Sequence, residues 1–136
     1  MTLGYNNYNS RYLFRNRYQG EVKMTNLWDR DHIASGEFQF GNGNTFYLYS
    51  ARYMAPLGSD LSTGASYIHI DQKLGGALKD QNITGQGDVA SWYYSYKCIS
   101  NDNLSLTANT GFDYKQIVNK VNGSAQSRDN TRTLKA

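Results

Sequence analysis

The stretch from Asn103 to Lys115 limits the possible folds most. Leu104, Leu106, Ala108, Thr110, Phe112 and Tyr114 alternate without a break with Ser105, Thr107, Asn109, Gly111, Asp113 and Lys115. Successive side chains of a strand point to opposite faces, so this segment reads as one long two-faced strand. The same period recurs in "RYQGEVKMT" (17–25), where Tyr18, Gly20, Val22 and Met24 oppose Arg17, Gln19, Glu21, Lys23 and Thr25. Residues 46–54 set Tyr47, Tyr49, Ala51 and Tyr53 on one side, and residues 89–98 set Trp92, Tyr94 and Tyr96 against Ser91, Ser95 and Lys97. Helical periodicity is hard to find anywhere.

Seven strands are predicted, over 2–8, 17–25, 32–40, 46–54, 61–71, 89–98 and 103–117. Most have the roughly 9–11 residues that a tilted strand needs to cross a bilayer, rather than the five or six of an ordinary sheet. Compact turns are expected at 27–31, 55–60 and 99–103, with Pro56, Gly58 and Asp60 suiting the second of them. Longer polar loops are expected at 72–88 and about 118–130, with 9–16 and 41–45 at the same end. Short turns on one rim and longer loops on the other are the plan of an outer-membrane barrel.

At 136 residues the chain is one domain by length. A mean hydropathy of -0.69 accompanies no apolar run long enough for a spanning helix, yet 12 tyrosines and 13 glycines are unlike a disordered chain. The net charge of +3 is too mild and too dispersed to demand nucleic acid. Cys98 is alone, so cysteine count leaves the compartment open. Residues 1–20 show no apolar core behind a basic start, and no signal peptide is expected there.

Catalytic and cofactor chemistry find no support. His32 and His69 fall on separate strands with no zinc-ligand spacing, which favours exposed or lumen-facing roles. Asp29, Asp31 and Asp60 sit in turns, where aspartate usually caps its own backbone. "GNGN" and "GQGD" lack the following helix of a phosphate cradle. Arg11, Arg15 and Arg17 offer lipopolysaccharide phosphates a contact, although a solvated loop cluster is the preferred reading.

Tyrosine and tryptophan favour membrane interfaces, so a ring-bearing face turned to lipid would put the charged face against water. The lipid-facing set is then Tyr47, Tyr49, Tyr53, Trp92, Tyr94, Tyr96, Leu104, Leu106, Phe112 and Tyr114, and the lumen-lining set Arg17, Glu21, Lys23, Asn109, Asp113 and Lys115. Alternation alone slightly favours a different fold, a soluble sandwich or ligand-binding β-barrel with its rings inside.

The runs "APLGSDLSTGASYIHIDQKLGG" and "GQGDVASWYYSYKCISNDNLSLTANTGFDYKQ" shift that balance. They resemble the first part of the barrel in haemolysin activation/secretion proteins, the TpsB transporters of two-partner secretion. The matching positions are Pro56, Leu57, Gly58, Ser59, Asp60, Gly64, Ala65, Ser66, Tyr67, Leu74 and Gly75, then Asn103, Leu104, Gly111, Phe112, Asp113, Tyr114 and Lys115. Cys98, Ile99 and Ser100 depart from the family pattern, as do Asn9 and Ser10.

The resemblance implies an all-β, antiparallel up-and-down meander of about seven strands over residues 1–117, part of a larger transmembrane β-barrel, with 118–136 a polar loop or truncated tail. It also implies the bacterial outer membrane, a secreted haemolysin or adhesin as partner, and a segment whose remaining barrel lies elsewhere. A complete small barrel would need an eighth strand after residue 125, and "SRDNTRTLKA" shows no alternation suited to lipid.

Overall fold

The computed structural model describes residues 1–6, 16–41, 46–73, 82–101, 104–122 and 124–135. Every regular element among them is a strand: β1 (Thr2–Asn6), β2 (Arg17–Leu27), β3 (His32–Gly41), β4 (Phe46–Pro56), β5 (Leu61–Lys73), β6 (Thr84–Asn101), β7 (Leu104–Val121) and β8 (Ser124–Lys135). Each pairs antiparallel with its neighbour in sequence, giving one sheet in the order β1 to β8. The all-β up-and-down meander is therefore the observed fold. Among the described residues β1 and β8 have one neighbour each.

The tail departs from expectation. Residues 124–135 form a strand instead of a polar loop, opposite Gly111 to Val121 of β7. Val121 pairs with Ser124, so the connection is two residues long, and Asn122 takes φ of 51°. Asn-Gly at this spacing is the strongest short hairpin signal, because both central residues of such a turn need positive φ. β6 also starts earlier than expected, at Thr84, with Gly85 and Gly87 inside the ladder.

The compact turns expected at 27–31 and 55–60 are present, whereas residues 99–101 of the third belong to β6 and pair with β7, and 102–103 lie outside the described residues. Pro56 ends β4 opposite Ser62, and Leu57 N–H donates to Leu61 O at 2.8 Å, so the missing proline N–H falls at the strand end. Between β2 and β3, Asn26, Trp28, Asp29 and Asp31 all have φ between 53° and 59°. Such angles cost a bulky residue like Trp28, and they persist because the surroundings over-determine them. Asp29 N–H donates to Asn26 O and Arg30 N–H to Leu27 O, both at 3.3 Å, while Asp31 N–H donates to Asn26 Oδ1 at 3.1 Å. Asn26→Ala removes that acceptor and the residue best suited to the backbone angle, so unfolding stability should fall by about 1–2 kcal/mol. Asn26→Gly, which restores only the angle, should recover about half, read from the urea midpoint.

The sheet is a single layer. Among the described residues Ala55 is the only buried hydrophobic one, and no side chain is fully buried. A chain of this size that closed on itself as a sandwich would enclose a dry core from two inner faces.

A two-faced sheet as the candidate functional surface

Residues directly opposite across a ladder share a face, so the register assigns every strand position to one side. One row runs Met24, Ala34, Tyr53, Ala65, Trp92, Phe112 and Leu134. Another runs Leu3, Gly20, Phe38, Tyr49, His69, Asp88, Gln116 and Asn130. All ten residues expected to face lipid, from Tyr47 to Tyr114, lie on this ring-bearing side, and every exposed large apolar side chain on a strand lies there too. Arg17, Glu21, Lys23, Asn109, Asp113 and Lys115 all lie on the opposite side. Arg11 and Arg15 fall outside the described residues.

The opposite side is the more crowded one. Gln39 is 7% exposed, while Phe38 and Phe40 beside it on the ring-bearing side are 41% and 39% exposed. Convergence on one face and splaying on the other is what a curved sheet gives on its concave and convex surfaces. On the concave side Arg17 donates to Gln39, Gln39 to Glu37, and Lys135 pairs with Asp113. Tyr93 also lies there, over Gly64, where an added Cβ would sit 2.3 Å from its ring.

The concave side is less uniformly polar than its charges suggest. Leu48, Ile68, Ile70, Val89 and Ile117 form an aliphatic stripe toward the rim that carries the β7–β8 turn. In β4 and β5 the alternation is of rings against aliphatic chains, a pattern that ring counting alone does not reveal.

Polar tips on the ring-bearing side are often satisfied locally. Trp92 Nε1–H donates to Thr63 Oγ1 at 2.9 Å, His32 Nδ1 lies 2.6 Å from Tyr53 Oη, and Tyr67 O–H donates to Asp88 Oδ1 at 2.6 Å. His69 Nδ1 is 2.7 Å from the same Asp88 oxygen and stacks on Tyr49. Both histidines thus sit among rings on the convex side, half-buried, and neither turns to the concave face. Among the described residues no three His, Cys, Asp or Glu side chains gather as a metal site would require.

The ring-bearing band crosses the rows obliquely. Its limit at the β7–β8-turn rim moves from Phe40, in the row of Val118, to Tyr114 of β7. Its other limit moves from Ala34, in the row of Phe112, to Leu104. These shifts are about 13 and 26 Å along the strands over about 19 Å across four strand spacings, which makes an angle of about 35–55°.

Compared with models of protein families, with curated proteins and with solved structures, the chain matches none of them.

Proposed function

We propose that this chain is part of the wall of a bacterial outer-membrane β-barrel through which a secreted partner protein passes. The carrying observation is the single uncovered layer with its large exposed apolar side chains in a band on one face and most of its strand charges on the other. Water offers an uncovered ring-bearing face no partner, whereas acyl chains do, and the strand ladders satisfy the backbone inside lipid. The oblique band supports the same reading. A bilayer cuts a barrel perpendicular to its axis, so strands tilted by roughly 35–45° must carry an apolar band slanted across their rows.

The step from barrel wall to secretion rests on the likeness to two-partner secretion transporters in the motifs at 55–76 and 85–116. In that role Arg17, Glu21, Lys23, Asn109, Asp113 and Lys115 keep the passage hydrated, where charge costs little compared with the bilayer midplane.

The rival, a soluble β-barrel with a small-ligand pocket, draws on a shallow trough of about 610 Å³ on the ring-bearing side, floored by Ala34, Ala51, Ala65 and Ala90. Quenching of Trp92 separates the two. With Trp28→Phe leaving one indole, brominated acyl chains should quench the emission of chain refolded into phosphatidylcholine vesicles, and aqueous iodide should barely do so. The opposite ranking sinks the membrane reading.

A further inference from the structure

From the last row of the ring-bearing band up to the β7–β8-turn rim, the convex face carries a line of four cations that the passage does not use. Lys73 and Lys120 flank Thr84 in one row, about 10 Å apart by the strand spacing. Arg128 stands opposite Val118, and Arg132 opposite Tyr114, two residues from Leu134. Resting on the reading of this face as lipid-exposed, we propose that Lys73, Lys120, Arg128 and Arg132 form a site for the phosphates of anionic membrane-lipid headgroups.

The partners of these cations leave their charge uncompensated. Lys120 Nζ reaches Gln86 Oε1 at 3.5 Å. With the Gln116 amide turned to suit it, Arg128 Nη2 and Nε donate to the Gln116 oxygen at 2.8 and 3.2 Å. These are neutral amides, and among the described residues none of the four cations has an ion pair. Two carboxylates share this part of the face, Asp88, hydrogen-bonded by Tyr67 and in contact with His69, and Asp71, hydrogen-bonded by Gln86 at 3.3 Å, so the four cations outnumber them by two.

Position selects the ligand. Arg132 stands in the row of Tyr114, at the band's limit, and Arg128, Lys73 and Lys120 follow four to six residues farther along the strands, their long stems able to reach back toward the phosphate layer. Arg128 and Arg132 can each take a phosphate with two parallel N–H bonds, and the lysines supply point charges. The amides of Gln86 and Gln116 hold Lys120 and Arg128 without neutralising them.

The test compares partition of the full chain into vesicles of phosphatidylcholine alone and of phosphatidylcholine with phosphatidylglycerol. Lys120→Gln with Arg128→Gln should lower partition into the anionic vesicles about 25-fold, at about five-fold per cation, and leave partition into the neutral vesicles unchanged. The control pair Lys23→Gln with Lys115→Gln removes the same charge from the concave face and should change neither. Equal losses from both pairs would reduce the effect to net charge and overturn the site while leaving the membrane reading intact. Abolition of the anionic preference by inorganic phosphate at matched ionic strength would assign the cations to free phosphate and overturn the lipid assignment. If the unaltered chain enters neither kind of vesicle, the membrane reading itself fails, and the site with it.

Discussion

Ala108→Arg should cost about 2–4 kcal/mol of folding stability in vesicles, and Leu104→Arg no more than about 1 kcal/mol. Both residues are exposed on the ring-bearing face of β7, and Ala108 lies near the middle of a band that runs from Leu104 to Tyr114. That span is about 33 Å along the strand and close to 25 Å along the membrane normal at a tilt of about 40°, the height of a barrel's apolar girdle. Depth alone then separates two substitutions that introduce the same charge on the same face. Asn109→Arg, one residue along and on the opposite face, should be nearly neutral. Urea titration of the refolded chain measures all three. A ligand pocket predicts no gradation with distance from the band's end, so equal penalties at 104 and 108, or the largest at 109, would refute the orientation.

The second large effect concerns the contact between Tyr93 and Gly64. A Cβ at Gly64 would sit 2.3 Å from Tyr93 Cζ and 2.4 Å from Oη, so the ring must swing away from the strand it covers. Gly64→Ala should cost about 1–3 kcal/mol, as overpacking does. With Tyr93→Ser in place the clash is gone, and alanine should become better than glycine in a strand by about 0.5–1 kcal/mol. The cycle therefore yields a coupling of about 1.5–4 kcal/mol, readable from urea midpoints of the four variants. Gly111 offers a contrast, because a Cβ there would meet the Trp92 carbonyl oxygen at 2.8 Å. Backbone cannot swing aside as a ring does, so Tyr93→Ser should rescue Gly111→Ala far less.

Strands whose side chains differ in kind from face to face were legible in the sequence, and β7 shows why. Its outward set is apolar or aromatic and its inward set polar, so period two stands out and the register follows. β8 lacks that contrast. Ser127, Asp129 and Thr131 on one side and Arg128, Asn130 and Arg132 on the other are all hydrophilic, and only Asn122-Gly123 marked the hairpin. Gly85 and Gly87 hid the start of β6, since glycine in an alternating run reads as a break although the ladder continues through it. The site was legible in its two faces, because burial and alternation share one cause, and illegible in its slant. Obliquity is a relation between strands, and it emerges only once the register is known. The line of cations escaped for the same reason, as Lys73 and Arg128 are distant in sequence and come onto one face only through three ladders.

Because each strand binds only its predecessor and successor, every ladder here closes a short stretch of chain. Contacts local in sequence demand little loop entropy before they form, so such a wall can grow by hairpins laid down in order. The newest strand always presents a bare row of N–H and C=O groups to guide the next. At β8, the edge of the sheet among the described residues, that row is unpaired across 12 residues, which makes this border a template for another strand.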